Sequence, residues 1–250
     1  MKNPAVLFTF WKKYDIIILV RYLIDKLDFD ARLCMLEKMS DFFEARLDRY
    51  DEHMMTNIEC ASEFYPFTAK QLPNAENCCI LDLGCGTGLE LQEYYKLNSS
   101  AKVTGIDLSQ GMLTELQRKL DGKDITLILG SYFDVPLGEN VFDAAVSVES
   151  LHHFTKEEKV GLYSKLHIAL KDDGYFILTD YFSLSDDEER MHQNNLIALK
   201  AKQGITDDEF YHYDTPLTVK HEIEALVEAG FAFVEVLNNW GATYTVKAVK

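Results

Sequence analysis

Residues 80–90 have the sequence ILDLGCGTGLE, and this stretch decides the fold. Its first residues are mostly apolar and predict a buried strand, its middle is a turn with three glycines, and its end predicts the start of a helix. In α/β sheets, a glycine-rich turn between a strand and a helix lets the backbone approach a nucleotide cofactor closely. The stretch therefore predicts a cofactor loop at the end of a strand.

The spacing of the glycines separates two classes of cofactor. Gly84, Gly86 and Gly88 give G-x-G-x-G, whereas a dinucleotide site has G-x-G-x-x-G, and position 89 is leucine. Asp82 places a carboxylate just before the turn, where it would repel a phosphate but attract the positively charged amino group of a methionyl moiety. Spacing and charge both favour S-adenosylmethionine over a dinucleotide.

A second carboxylate follows at a fitting separation. Residues 103–109, VTGIDLS, predict a short apolar strand that ends at Asp107, nineteen residues after Gly88. A carboxylate at this strand end can accept hydrogen bonds from both ribose hydroxyls of an adenosine. The glycine turn and Asp107, within one βαβ unit, together predict an adenosine-containing cofactor.

Three segments carry a resemblance to a known family: LDLGCGTG at 81–88, GIDLSQGML at 105–113 and FDAAVSVESLHHF at 142–154. Through them the sequence resembles the class I S-adenosylmethionine-dependent methyltransferases. The resemblance implies an α/β fold with a doubly wound, Rossmann-like, seven-stranded, mostly parallel sheet, an antiparallel C-terminal hairpin and a helical lid. It also implies S-adenosyl-L-methionine as the cofactor and direct methyl transfer to a bound nucleophile.

The resemblance also implies which residues bind the cofactor. The expected set is Tyr50, Asp82, Gly84, Cys85, Gly86, Thr87, Gly88, Asp107, Leu108, Met112, Ser131, Tyr132 and Glu149. Asp82 and the glycine loop are expected to hold the methionyl part, and Asp107 the ribose. Leu108 and Met112 are assigned to one face of the adenine, and Ser131 with Tyr132 to its edge. Many family members have Asp where this chain has Ser131, and a hydroxyl accepts a hydrogen bond less strongly than a carboxylate.

Strands and helices alternate after the loop, which is typical of a parallel doubly wound sheet. Strands are predicted near 79–84, 102–107, 125–130, 142–148 and 174–181. A terminal hairpin is predicted with strands at 231–237 and 242–249 and a turn at 238–241. Residues 155–158 have the pattern of a capping box at the start of a helix.

Composition and charge narrow the class of partner. A chain of 250 residues with 47% hydrophobic residues fits one α/β domain with a lid. Its net charge of −16 disfavours a nucleic-acid partner, since such binding depends on basic side chains that neutralise phosphates. Five cysteines without a C-x-x-C pair indicate neither a zinc site nor a disulfide framework, so a reducing cytoplasm is the expected compartment.

Residues 1–40 form an apolar N-terminal extension that differs from the rest, with seven basic and five acidic side chains. Its apolar runs are too short for a membrane span and lack the pattern of a signal peptide. Residues 16–20, IIILV, have three possible interpretations: a helix packed on the domain, a homodimer contact, or a start codon chosen too far upstream. The methyltransferase domain is expected at 41–250.

Two further segments are expected near the acceptor. Helices at 41–75 are predicted to fold over the cofactor and substrate, with Tyr50, Asp51 and His53 as lid candidates. An insertion at 182–217 is predicted to complete the lid. Its aromatic cluster and the hairpin offer an enclosure for a small molecule, through Tyr211, His212, Tyr213, Trp240 and Tyr244. For the helices, the alternative is that Tyr50 and Met54 form a core pair and the charged residues a solvated face. For the insertion, the alternative is a surface helical appendage with its own small core.

The fourth strand ends in SVESLHHF at 147–154, an edge that faces the ligand crevice of an open α/β sheet. His153 is the candidate proton acceptor there, with a packing role in the cavity wall as the alternative. No metal site is expected, because adjacent histidines in an extended segment point apart. Asp180, at the end of the fifth strand, either borders the acceptor pocket or orients the following loop.

The sequence thus predicts an S-adenosylmethionine-dependent methyltransferase that acts on a small-molecule acceptor. The alternatives are a methyltransferase of RNA or protein, and a non-catalytic protein that binds S-adenosylmethionine or S-adenosylhomocysteine. A dinucleotide oxidoreductase is a further alternative that the glycine spacing disfavours.

Overall fold

The computed structural model describes residues 35–207 and 209–250, which fall into two compact units. The larger unit contains residues 37–196 and 209–250 and carries the sheet. In the smaller unit, the described residues are 35–36 and 197–207, where the Leu36 backbone N–H donates to Gln203 Oε1 at 3.1 Å. The interpretations of residues 16–20 lie outside the described residues.

Seven strands form one sheet in the order β3-β2-β1-β4-β5-β7-β6. The strands are β1 (Cys79–Leu83), β2 (Lys102–Asp107), β3 (Ile125–Leu129), β4 (Phe142–Val148), β5 (Leu170–Tyr181), β6 (Phe233–Trp240) and β7 (Thr243–Val249). β1 to β5 are mutually parallel, and β7 is antiparallel to both β5 and β6. The predicted mostly parallel sheet with an antiparallel C-terminal hairpin is confirmed.

Helices precede the sheet and connect its strands. They are α1 (Met39–Glu44), α2 (Leu47–Asn57), α3 (Ala61–Gln71), α4 (Leu89–Leu97), α5 (Gln110–Lys119), α6 (Lys156–Ala169), α7 (Asp186–Gln203) and α8 (Val219–Glu228), with a 3-10 turn at Leu151–His153. The predicted capping box begins α6, because the Thr155 and Glu158 side chains each bond to the other's backbone N–H. Among the described residues, none of these helices combines the length and the hydropathy needed to span a bilayer.

Apolar side chains cover both faces of the sheet, as the crossover connections require. In β1, adjacent Ile80 and Leu81 are fully buried and pack into different apolar clusters, because successive strand side chains point to opposite faces. Asp82 follows in the same strand and is also fully buried. The cofactor loop therefore begins directly after a fully buried segment.

Two strand boundaries differ from the expectation. β5 begins at Leu170, earlier than predicted, with a register irregularity opposite β4 between Phe142 and Ala144. β6 continues through Trp240, where the sequence predicts a turn at 238–241. A bulge between Val236 and Asn238 absorbs one residue and lets the polar Asn238 and Asn239 stay in the ladder, so the turn shortens to 241–242.

Candidate active site

The glycine loop leaves β1 and is tied to β2 by backbone hydrogen bonds. The N–H groups of Gly84 and Cys85 both donate to the Ile106 carbonyl, at 2.9 and 3.1 Å. Gly84 has φ +75°, and a Cβ there would overlap Ser150 Oγ. A side chain at this position is therefore excluded both by the left-handed backbone and by the contact across the crevice.

Asp107 lies at the carboxyl end of β2 and braces the loop. Its Oδ2 accepts the Gly86 N–H at 2.8 Å, and its Oδ1 accepts the Ser109 N–H at 2.9 Å. Burial raises the pKa of Asp107, while these N–H donors oppose the rise. Each carboxylate oxygen keeps a further lone pair, so the group can still accept from a ribose.

A cavity of about 40 Å³ lies beside this loop, at the carboxyl ends of the parallel strands. We call it the smaller cavity; its lining is Met39, Phe43, Tyr50, Gly84, Gly86, Asp107, Leu108, Met112, Tyr132, Glu149 and Ser150. Eight of the predicted cofactor residues are in this set. Met39, Phe43 and Ser150 are not predicted from the sequence, and the first two come from α1, whose packing over the loop no local motif announces.

Five predicted cofactor residues lie outside this lining. Asp82 is buried beneath the loop, and Gly88 caps α4 with φ +75°. Cys85 is turned towards the narrow space above Gly105. The Thr87 hydroxyl instead donates to Asp51 Oδ1 at 2.5 Å, and Asp51 also pairs with Lys119.

Ser131 is the fifth of these residues. It is buried, and its Oγ accepts the Phe133 N–H at 3.2 Å. The hydroxyl that the sequence assigns to the adenine edge is thus engaged in the turn after β3. Tyr132, its neighbour, is in the smaller cavity's lining.

Asp82 and Glu90 form a pair of buried carboxyl groups below the glycine loop. Both Asp82 oxygens and Glu90 Oε1 have no hydrogen-bond donor in the described part of the chain. Burial raises the pKa of both groups, and their mutual proximity raises that of Asp82 further. Two carboxylates cannot donate to each other, so the pair needs either a shared proton or a cation. Glu90 is the last residue of the glycine-rich stretch, but no role is predicted for it from the sequence.

A second cavity, of about 640 Å³, adjoins the smaller one and is here called the larger cavity. Its lining is Phe42, Phe43, Arg46, Arg49, Tyr50, His53, Met54, Asn57, Ile58, Glu59, Glu149, His152, His153, Tyr181, His212, Asp214, Trp240, Ala242 and Thr243. Phe43, Tyr50 and Glu149 line both cavities. These three residues therefore mark the junction between them.

Glu149 stands at the junction in a strained backbone conformation. Its φ of +49° is in the left-handed region, which a residue with a side chain adopts at a cost. Its N–H is held by the Thr179 carbonyl at 2.9 Å, and the Thr243 hydroxyl donates to Oε1 at 3.3 Å. Burial, with the nearby Asp180 carboxylate, raises the pKa of Glu149 to about 8.

The two adjacent histidines lie in a 3-10 turn, with ring centroids 4.1 Å apart. The expectation of an extended segment whose histidines point apart is therefore wrong. Both rings reach the larger cavity because this tight turn follows the left-handed Glu149. His153 is buried, and burial, together with His152, lowers its pKa.

Asp180 orients His152. Its Oδ1 is 2.5 Å from His152 Nδ1, and the carboxylate also accepts the N–H groups of Leu151 at 2.8 Å and Tyr181 at 2.9 Å. Burial lowers the pKa of His152, but the carboxylate of Asp180 and those nearby outweigh this and raise it to about 9. Asp180 thus acts on the cavity through the imidazole, without being in its lining.

The structure places only some of the predicted enclosing side chains at the larger cavity. Tyr50, His53, His212 and Trp240 line it, and His212 stacks on Phe42 with centroids 3.4 Å apart. Tyr211, Tyr213 and Tyr244 are not in the lining; the Tyr213 carbonyl lies 3.2 Å from His153 Nδ1, and the Tyr244 ring packs edge-on against Phe182.

Comparison with known proteins agrees with this geometry. Residues 80–174 match the family model described as a methyltransferase domain. The chain is a class I S-adenosylmethionine-dependent methyltransferase. The match begins in β1 and runs through the glycine loop, Asp107 and the end of β4, which supply most of the smaller cavity's lining; Met39, Phe43 and Tyr50 lie outside it.

The methyltransferase is also similar to known proteins and solved structures over most of its length. It is 28% identical over 222 residues to a carboxy-S-adenosyl-L-methionine synthase from Wolinella succinogenes, over 82% of this chain and 88% of that protein. It is 30% identical to cycloartenol-C-24-methyltransferase from Arabidopsis thaliana, over 67% of this chain but only 48% of the relative. An S-adenosylmethionine-dependent methyltransferase from Mesorhizobium loti shares the fold, with a TM-score of 0.54, 22% identity and coverage of 74% of this chain and 96% of that one.

Cofactor binding to the methyltransferase is expected to release protons. The pKa values of Asp82 and Glu90 are raised in the free protein, so the pair carries a proton that an arriving ammonium group would displace. Binding that releases a proton tightens as pH rises, by up to about tenfold per pH unit, until the free pair is itself ionised. Calorimetry in two buffers of different ionisation enthalpy measures the number released.

The matched variant is Glu90→Gln, which removes one titrating group but keeps the shape of the side chain. Fewer protons are then expected to leave on binding, and the pH dependence flattens. Equal proton release by the variant and the natural protein would show that the ammonium group binds elsewhere.

Proposed function

We propose that this methyltransferase transfers the methyl group of S-adenosylmethionine to a small-molecule acceptor in the larger cavity. The observation that carries the proposal is the junction: Phe43, Tyr50 and Glu149 line both cavities. S-adenosylmethionine is larger than the smaller cavity, so a cofactor with its ribose at Asp107 would extend to this junction and present its methyl group to an acceptor in the larger cavity. A volume of about 640 Å³ lies within the range of small-molecule pockets.

The walls of the larger cavity suggest an amphipathic acceptor. Its lining includes apolar and aromatic side chains from α1, α2 and the hairpin, among them Phe42, Met54 and Trp240. It also includes the polar groups of His152, His153 and Asp214. An acceptor with an apolar or ring-shaped body and a polar end that bears the nucleophile fits this mixed lining.

The names of the relatives support a small molecule over a macromolecule. Carboxy-S-adenosyl-L-methionine and cycloartenol are both small molecules. The net charge of −16 is also unfavourable for binding a polyanion. Methylation of RNA or protein would be recognised by label in those fractions of the extract.

Transfer would proceed by direct displacement, with the acceptor atom aligned behind the methyl carbon. Alignment of two reactants in one site can supply several kcal/mol of the barrier, roughly 7–11 at best. We propose Glu149, in its ionised form, as the group that accepts the acceptor's proton, because Glu149 lines both cavities. Since its pKa is raised to about 8, the ionised form predominates only above that pH, and transfer is expected to quicken as the pH rises towards it. His153, the candidate from the sequence, lines only the larger cavity, and its Nδ1 already faces Asp214 and the Tyr213 carbonyl.

The proposal is tested by filling the larger cavity. Ala242 is in its lining, at the hairpin turn and away from the smaller cavity. The variant Ala242→Trp is expected to bind S-adenosylmethionine normally but to lose methyl transfer to acceptors from a cell extract. The assay follows label from the cofactor's methyl group into small molecules, RNA and protein.

The matched control is Ala232→Trp, which adds the same side chain at an exposed position next to β6. It is expected to transfer label as the natural protein does. Undiminished transfer by Ala242→Trp would contradict the assignment of the acceptor to the larger cavity. If the natural protein transfers label to RNA or protein, the acceptor is a macromolecule and the small-molecule proposal is wrong.

A further inference from the structure

Three potential ligand atoms converge on the wall of the larger cavity. Asp214 Oδ1 lies 3.2 Å from His153 Nδ1 and 3.6 Å from His152 Nε2. The three residues can each offer one ligand atom within 4.8 Å of the other two, and all three are in the cavity lining. We call His152, His153 and Asp214 the His/Asp cluster.

The spacing of these atoms is compatible with one shared ion. His153 Nδ1 is within hydrogen-bond distance of both Asp214 Oδ1 and the Tyr213 carbonyl, at 3.2 Å each, whereas the 3.6 Å from Asp214 Oδ1 to His152 Nε2 is too long for a hydrogen bond. An ion would take the place of the proton on His153 Nδ1. Two ligands at about 2.0–2.2 Å from a metal ion, at octahedral or tetrahedral angles, lie roughly 3.0–3.6 Å apart. Both separations to Asp214 Oδ1 therefore fall in the range that coordination to one metal ion requires.

Asp180 supplies the outer support that metal-bound histidines usually have. Its carboxylate fixes His152 through Nδ1 at 2.5 Å, which leaves Nε2 as the free nitrogen turned towards Asp214. Asp180 is itself held by two backbone N–H groups. A carboxylate that orients an imidazole through its far nitrogen is the usual arrangement around metal-ligating histidine.

The surroundings are also rich in negative charge. Glu149, Asp180 and Asp214 stand around the two histidines, and Glu149 Oε2 is 4.0 Å from His152 Nδ1. Asp180 and His152 are almost completely buried. A dication would offset this concentration of carboxyl groups in a low-dielectric wall.

We propose that the His/Asp cluster binds one divalent transition-metal ion through His152 Nε2, His153 Nδ1 and Asp214 Oδ1. Two imidazoles and one carboxylate leave the remaining coordination positions open, and here they face the larger cavity. The site would take an ion that accepts mixed nitrogen and oxygen ligands, such as iron(II), manganese(II), cobalt(II) or zinc(II).

An open position on this ion would hold an oxygen or nitrogen atom of the acceptor and make its proton easier to remove. This role rests on the proposed function, whereas binding of the ion does not. The two are therefore tested by different measurements, and a failure to find methyl transfer would leave the metal site standing.

The test titrates cobalt(II) into the full-length protein after removal of metals with a chelator. Visible absorption reports the ligand type, and calorimetry reports affinity and stoichiometry. One cobalt(II) ion is expected per chain, without the charge-transfer bands that thiolate ligands would produce. His153→Ala and Asp214→Ala are expected to weaken binding by more than about 100-fold, and Asp180→Asn by about 10–100-fold.

His53→Ala is the matched control, because His53 lines the same cavity but stands outside the His/Asp cluster. It is expected to bind cobalt(II) as the natural protein does. Thermal melting and S-adenosylmethionine binding show that each variant is folded. The proposal is overturned if the folded natural protein binds no cobalt(II), or if folded His153→Ala and Asp214→Ala bind it with unchanged affinity.

Discussion

Asp107→Ala is expected to weaken S-adenosylmethionine binding by roughly 100-fold, which corresponds to about 3 kcal/mol. The carboxylate lies at the end of β2 in the lining of the smaller cavity. It is the acceptor proposed for the two ribose hydroxyls, and hydrogen bonds to a charged group are among the stronger ones. It also fixes Gly86 through a bond of 2.8 Å, so its loss loosens the loop as well. Calorimetry or a thermal shift with the cofactor measures the change.

Ser109→Ala separates cofactor binding from local structure. Ser109 caps α5 by accepting the Met112 N–H, directly after the strand that carries Asp107. Loss of this cap is expected to lower the free energy of unfolding by about 1 kcal/mol while cofactor affinity stays nearly constant. If Asp107→Ala binds the cofactor as tightly as Ser109→Ala does, the ribose assignment is wrong.

Glu149→Gln is expected to slow methyl transfer by about 10²–10⁴-fold with little effect on cofactor affinity. Glutamine keeps the size of the side chain and can still accept the bond from the Thr243 hydroxyl, but it cannot take up a proton from the acceptor. Single-turnover measurement with labelled cofactor isolates the transfer step from product release.

Thr243→Val is the control for this variant. It removes the hydroxyl that bonds to Glu149 Oε1 at 3.3 Å but leaves the carboxyl in place. Its transfer rate is expected to fall far less than that of Glu149→Gln. Transfer by Glu149→Gln at the natural rate would show that the acceptor needs no proton acceptor at the junction.

The parts of the site that are coded locally could be predicted from the sequence. The turn after β1 needs glycine at 84 because the backbone there is left-handed and Ser150 is close. The position of Asp107 at the cofactor site is predictable because it ends a parallel strand, and the carboxyl ends of such strands border the ligand crevice. Both features depend on a few consecutive residues, so a motif is sufficient to find them.

Features that depend on tertiary packing could not be predicted in this way. Asp214 joins His152 and His153 across some sixty residues of chain, through the segment that follows α7. Phe43 reaches both cavities only because α1 packs over the glycine loop. Nothing in the local sequence around these residues indicates such contacts.

The buried pair below the loop shows a different limit. Glu90 lies in the first turn of α4. Acidic side chains are common there because they interact favourably with the positive end of the helix dipole. Only its burial and its lack of a hydrogen-bond donor set it apart. The sequence does hold one indication of the pair: Asp82 and Glu90 flank the same glycine turn, so their carboxyl groups could be expected to lie close together.

A crystal structure of the complex with S-adenosylmethionine tests the central claim most directly. We expect the amino group above Asp82 and Glu90, the ribose on Asp107, and the methyl group at the junction beside Glu149, pointing into the larger cavity. A cofactor whose methyl group points away from the larger cavity, or whose ribose lies away from Asp107, would contradict the account.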